Sequence, residues 1–150
     1  MECILCSVRD NEESVRSLKI YHDNILFISL NLYPYNPGHL MIVPNKHITQ
    51  FTELSKEEII HLMRTVQGTQ MLLDHTYNPK GYNIGINQGS IAGGSIEHLH
   101  VHVVPRYSSE LGYIDIVAET RVVPEGLNSV KEKLEQNINK FLNQKFFENF

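Results

Sequence analysis

The chain has 150 residues, 41% hydrophobic and 20% charged, with a formal charge of -4 from 13 basic against 17 acidic side chains. That size and balance suit one domain with a real core, spanning 1–150, and give no global electrostatic pull toward nucleic acid. No apolar run approaches the ~20 residues that cross a bilayer, and Met1-Glu2-Cys3-Ile4-Leu5-Cys6 has neither a basic lead nor a long apolar stretch, so a cytoplasmic protein is expected.

The first feature in chain order is Cys3-x-x-Cys6, formed by the only two cysteines. A single pair cannot be the disulfide framework of a domain this large, and in a reducing compartment it is a redox or metal-binding signal. Zinc would need two more ligands from elsewhere in the chain. A polar segment from Asp10 to Ser17 follows as loop or short helix, and then two strands, Leu18 to Tyr21 and Ile25 to Leu30, joined by His22-Asp23-Asn24 as hairpin-turn chemistry. Asn31 to Gly38, with two prolines and a glycine, is a loop. It leads into a buried strand from His39 to Val43, stopped by Pro44 and Asn45, with His47 just beyond.

Ser55 and Glu58 form a capping box that opens a long helix from about Lys56 to His75. Gly68 is a weak point within it, and His61 and His75 are expected on its exposed side. Tyr82 to Asn87 alternates as a strand, with Tyr82, Ile84 and Ile86 on one face and Asn83, Gly85 and Asn87 on the other, where small and polar side chains leave room for a ligand. Gln88 to Ser95 is glycine-rich. It lacks the ending of a Walker motif and the spacing of a dinucleotide fold, but small residues allow backbone amides to approach an anion.

The next run, His98-Leu99-His100-Val101-His102-Val103-Val104, ends at Pro105 and Arg106. Its period of two puts Leu99, Val101 and Val103 on a core-facing side and the three histidines on the other, successive rings about 6.6 Å apart. Imidazoles repeated in this way suit nucleophilic chemistry, a His-x-His metal site, or a merely solvated face. A wet face is more usually filled by Thr, Lys, Ser or Glu. Tyr113 to Val117 is a short strand or edge segment, and Pro124 and Glu125 open a second helix with Leu127, Val130, Leu134, Ile138 and Phe141 at three- and four-residue steps. Residues 143–150 are expected as a C-terminal tail, although Phe146, Phe147 and Phe150 would be unusual if wholly exposed. The order of elements indicates an α+β domain with a mainly antiparallel sheet and two principal helices.

His98 to Val104 resembles the His-φ-His-φ-His-φ-φ signature of the histidine-triad nucleotide-binding family, and the likeness extends through most of the chain. Asn31, eight residues before His39 in its Pro-Gly-His strand start, resembles the ribose-contacting position and the accessory histidine of that family. Asn87, Gly94 and Ser95 resemble its phosphate contacts. The resemblance implies a five-stranded sheet that continues across a homodimer. It also implies a two-step transfer in which His100 attacks the α-phosphate of a nucleotide, with His102 and His39 supplying protons or hydrogen bonds at the bridging oxygen and His102 also touching the substrate. Cys3, Cys6, His47 and His98 are similar to the zinc-binding pattern of prokaryotic members, and two thiolates with two imidazoles leave no open position, so that Zn²⁺ would be structural.

The run His102 to Tyr107, with Ile114 to Pro124 following it, resembles the branch that cleaves diadenosine tetraphosphate by hydrolysis or phosphorolysis. Nucleoside phosphoramidate hydrolysis is the alternative substrate class. Two further function classes stay open: a nucleotide-binding module with little catalysis, and the redox reading of Cys3 and Cys6.

Overall fold

The computed structural model describes residues 3–108 and 125–149. Tyr113 to Val117 and the Pro124 helix start lie outside the described residues.

A short helix, α1 (Ile4–Arg9), precedes strands β1 (Lys19–His22), β2 (Leu26–Leu30) and β3 (Leu40–Pro44). The long helix α2 (Lys56–Tyr77) is followed by β4 (Gly81–Gly85), β5 (Val101–Arg106), α3 (Leu127–Asn137) and α4 (Gln144–Glu148). The five strands form one sheet in the order β1-β2-β3-β5-β4, with every neighbouring pair antiparallel.

Alternation within the strands decides which side chain reaches which layer. Leu26, Ile28, Leu40, Ile42, Leu99, Val101 and Val103 face the helices, where they join Leu62, Val66, Leu72, Leu73, Val130 and Leu134 in the main core. Phe27, Met41 and Val43 point to the opposite face and pack with Leu5 and Val8 of α1. Both strands β2 and β3 are therefore buried along their whole length.

The expected capping box starts α2: Glu58 N donates to the Ser55 hydroxyl, and Ser55 N donates to the Glu58 carboxylate. The helix runs two residues past His75 and stops at Asn78, which adopts the left-handed conformation with φ of 45°. Gly68 is a point of close approach rather than a weakness, because a Cβ there would collide with the Leu142 side chain. The chain after α3 thus lies directly on α2. Residues 144–148, read from sequence as part of a tail, form α4, with Phe146 and Phe147 packed against the main core.

His61 differs from its expected exposed position. Its Nε2 lies 2.7 Å from Asp23 Oδ2, and its ring stacks on Phe147 with centroids 4.5 Å apart. Asp23 also accepts from the amides of Ile25 and Leu26, which forms the β1–β2 turn. Burial alone would raise its pKa, but these hydrogen bonds, His61 first, hold it down at about 2.

Candidate active site and metal centre

The histidine face of β5 and of the residues leading into it serves two separate clusters. At its start, His98 is 1% exposed. Its Nε2 donates to the Pro44 carbonyl at 2.9 Å, leaving Nδ1 with a lone pair that faces Cys3 Sγ at 3.3 Å and Cys6 Sγ at 3.6 Å. His47 Nδ1 lies 3.4 Å from Cys6 Sγ, and the four ligand atoms are all within 4.8 Å of one another. Sulfur and nitrogen ligands on one tetrahedral zinc are about 3.6 Å apart, which the three measured separations match. The chemistry of the donor set also fits, since thiolates and neutral imidazoles are the usual ligands of closed zinc sites and the Pro44 carbonyl orients the His98 ring from behind. The structure brings all four sequence-expected ligands together, so this cluster could hold a metal ion.

The second cluster begins two residues later. His100 is 5% exposed and donates from Nδ1 to the His98 carbonyl at 2.7 Å. Its neutral ring is therefore fixed as the tautomer whose Nε2 carries the free lone pair. His102 stands beside it, ring centroids 4.7 Å apart. His102 Nδ1 is 2.9 Å from His39 Nε2, and His39 Nδ1 accepts from the Tyr35 amide at 3.2 Å.

These contacts set the protons in order. Because the Tyr35 amide donates to His39 Nδ1, the His39 proton sits on Nε2 and is donated to His102 Nδ1. His102 is left with its proton on Nε2. Burial is the main cause that lowers the pKa of both rings, His39 to about 3 and His102 to about 4, with repulsion from neighbouring imidazoles adding to it. Near neutral pH the pair is uncharged, and His102 presents an N–H donor beside a nucleophilic nitrogen on His100.

Both rings open into a cleft of about 600 Å³. Asn31, Asn87 and Ser95 line it with His100 and His102, while Leu5, Val8, Val15, Leu18, Leu30 and Ile96 make it largely apolar. Asn31 is anchored by its backbone amide, which donates to the His39 carbonyl, and its side-chain oxygen accepts from the Tyr33 amide. Gly94 does not line this cleft. It lies on an adjoining groove, and its amide donates to the Gly89 carbonyl at 3.0 Å. The amides of Ala92 and Gly93 are likewise taken up inside the glycine-rich loop. The expected cradle of free loop amides is thus reduced at these three positions, and Gly94 acts through close packing: a Cβ there would come within 2.8 Å of the Asn87 carbonyl oxygen.

Two contributors were not legible as site residues in the sequence. The α1 helix carries Cys3 and Cys6 at its start and lends Ile4, Leu5 and Val8 to the cleft wall. Tyr35 stacks on His39 at 5.1 Å and 13° while lying 56% exposed at the rim. Its only sequence signal was its place between two prolines ahead of His39.

Residues 12–109 match the HIT domain family. The chain belongs to that family. It is 39% identical over 118 residues to the AP-4-A phosphorylase of Mycobacterium tuberculosis, a match covering 78% of this chain and 60% of that protein's length. Adenosine 5'-monophosphoramidase hnt1 of Schizosaccharomyces pombe is 24% identical over 138 residues, 92% of this chain and 99% of that one. Among solved structures, a Zn-bound histidine triad family protein from Mycobacterium smegmatis superposes with a TM-score of 0.73 at 23% identity, covering 93% of this chain and 95% of that chain. Its likeness places the antiparallel five-stranded sheet and its helices in the fold of this family.

Proposed function

We propose that the protein transfers a nucleoside monophosphate from a dinucleoside polyphosphate of the diadenosine tetraphosphate kind to phosphate or water, through a nucleotidyl-histidine on His100. The observation that carries this reading is the fixed pair of tautomers at the cleft: a bare Nε2 on His100, held by the His98 carbonyl, beside an Nε2–H on His102, held by His39. His100 attacks the α-phosphorus, and the bond to the bridging oxygen breaks in line with it. The electron pair stays on that oxygen, which His102 meets with its N–H donor. The acceptor then attacks the same phosphorus and displaces His100, whose Nε2 takes back its electron pair; His102 holds the acceptor oxygen with its N–H, and where the acceptor is water the proton it sheds leaves to solvent. Asn87 and Ser95 donate to the phosphoryl oxygens, Asn31 binds the ribose, and the apolar end of the cleft takes the base. The similarity to an AP-4-A phosphorylase supports this substrate class.

Incubation with diadenosine tetraphosphate, with and without inorganic phosphate, tests the reading. ADP and ATP formed only with phosphate indicate phosphorolysis, AMP and ATP asymmetrical hydrolysis, and two ADP symmetrical hydrolysis. No turnover of this substrate combined with rapid cleavage of an adenosine phosphoramidate would favour the second reading, which the whole-length match to a phosphoramidase supports.

Zn²⁺ in the Cys3, Cys6, His47 and His98 cluster is proposed as structural: it would tie α1 to the strand that carries His100 and supply no reacting group. The catalytic unit spans 1–150 and works as a homodimer in the cytoplasm. Support for the dimer comes from β4, an edge strand with Ile84 43% exposed, and from the exposed Ile60, Met63 and Met71 of α2. Among the described residues no helix is long and apolar enough to cross a membrane.

A further inference from the structure

A dinucleoside polyphosphate leaves the reaction as a multiply charged nucleotide, yet the surroundings of the triad are poor in positive charge. His39 and His102 are neutral near pH 7, their pKa values lowered to about 3 and about 4 chiefly by burial. Among the described residues lining the main cleft, Arg16 is the one Lys or Arg. Its guanidinium is engaged by α3, donating to Asn128 Oδ1 at 2.6 Å. The groove on the Gly94 side is lined by Glu97 together with Gln50, Gln88 and Asn87, and by no Lys or Arg among its described residues. Neither place suits the departing phosphates.

The far end of β5 supplies the missing charge, on the face that the strand and the residues leading into it give to the histidines. His98, His100, His102, Val104 and Arg106 alternate onto one side, which puts Arg106 about 13 Å beyond His102 along the strand. Its Nη1 donates to Asn83 Oδ1 at 2.7 Å, and Asn83 pairs with Val104 across β4 and β5, two residues before Gly85 pairs with His102. Tyr35, Asn36, Asn83, Val104 and Arg106 line a depression of about 290 Å³. Tyr35 also lines the main cleft, so the two spaces meet at the residue that stacks on His39. In-line displacement sends the leaving oxygen away from His100, and the donor that meets it belongs to His102. The path beyond that oxygen therefore runs past His39 and Tyr35 to an exposed guanidinium whose fork of donors suits phosphate oxygens.

We propose that Arg106, oriented by Asn83, binds the phosphates of the leaving nucleotide beyond the scissile bond and so sets the preference for dinucleoside polyphosphates over substrates whose leaving group is an uncharged amine. This inference rests on the function proposed above and assigns a residue to its selectivity.

The test compares kcat/KM for diadenosine tetraphosphate and for adenosine 5'-phosphoromorpholidate in the wild-type protein, Arg106→Gln, Arg106→Lys and Asn83→Ala. Loss of a charge-assisted contact is expected to reduce the tetraphosphate-to-morpholidate ratio about 30-fold in Arg106→Gln. Lysine should restore part of the ratio, and Asn83→Ala should lower it in the same direction by less. Wild-type turnover of the tetraphosphate should also fall with added salt more steeply than that of Arg106→Gln. An unchanged ratio, or an equal loss on both substrates, would overturn the assignment to Arg106 while leaving the proposed function standing. A wild-type protein that leaves the tetraphosphate intact would overturn the proposed function itself, and this assignment with it.

Discussion

The two faces of the sheet hold similar strands but are closed in different ways. Under α2 and α3, apolar side chains from β2, β3 and β5 meet a helix surface of Leu62, Val66, Leu72, Leu73, Val130 and Leu134 in one continuous cluster. On the other face Leu5 and Val8 of the six-residue α1, with the partly buried Cys3, Val15 and Ile96 beside them, cover Phe27, Met41 and Val43 and leave a cleft next to them. A helix of fewer than two turns has little stability of its own. The four-residue cluster of Cys3, Cys6, His47 and His98 is what can hold α1 in place, so a metal there would substitute for the core that the helical face has. The comparison teaches that a face left open for substrate needs a local clamp, and that His98 joins the two roles. Its ring is in the clamp, while its carbonyl fixes the tautomer of His100.

Substitutions can separate the faces. The largest expected effect is on chemistry: His100→Asn should lower transfer by roughly 10⁴-fold or more in single-turnover assays, with the melting temperature and metal content unchanged. On the helical face the order reverses. Leu72 is fully buried, and Leu72→Ala should cost about 2–5 kcal/mol in urea unfolding while turnover per folded molecule stays close to wild type. Cys6→Ser acts between these extremes. Freed from the cluster, α1 should no longer hold Ile4, Leu5 and Val8 against the cleft, so KM should rise about tenfold with a much smaller change in kcat. Metal analysis of the same preparation checks that the ion has been lost.

The smallest effect is on acid stability. An unfolded histidine titrates near pH 6.5, whereas His39 and His102 in the fold do so only at about 3 and about 4. Between those values the unfolded chain binds more protons, so this contribution is complete above pH 6.5 and is lost as pH falls toward 4 and then 3. His39→Asn should therefore show a shallower drop in urea midpoint between pH 6.5 and pH 4 than the wild type.

Sequence reasoning reached the two faces unequally, for physical reasons. The alternation from His98 to Val104 states its own geometry, since a period of two leaves no choice about which side chains share a face. The Ser55 capping box is equally local and appears where expected; of the histidine run only Val101 onward is paired strand, His98 to His100 leading into it while keeping the alternation, with Leu99 in the core. The α1 helix was not legible because six residues are too few for a helical period, and its apolar contacts lie on β2 and β3, far along the chain. Gly68 looked like a local defect, but its meaning depends on Leu142 arriving from the other end of the sequence. The glycine-rich loop shows the opposite error: composition suggested free amides, and the loop's own 3₁₀ turn at Ser90–Ala92 uses those of Ala92, Gly93 and Gly94. Arg106 looked like the end of a strand, because only the folded sheet brings it into one depression with Tyr35 and Asn83.

The most direct test of the proposed chemistry is to quench the reaction with diadenosine tetraphosphate within a single turnover and map the protein by mass spectrometry. An AMP adduct confined to the peptide containing His100, forming before free product and absent in His100→Asn, is the expected result. Product formation at the full rate with no adduct at any time, or an adduct on another residue, would contradict the assignment of His100 as the nucleophile.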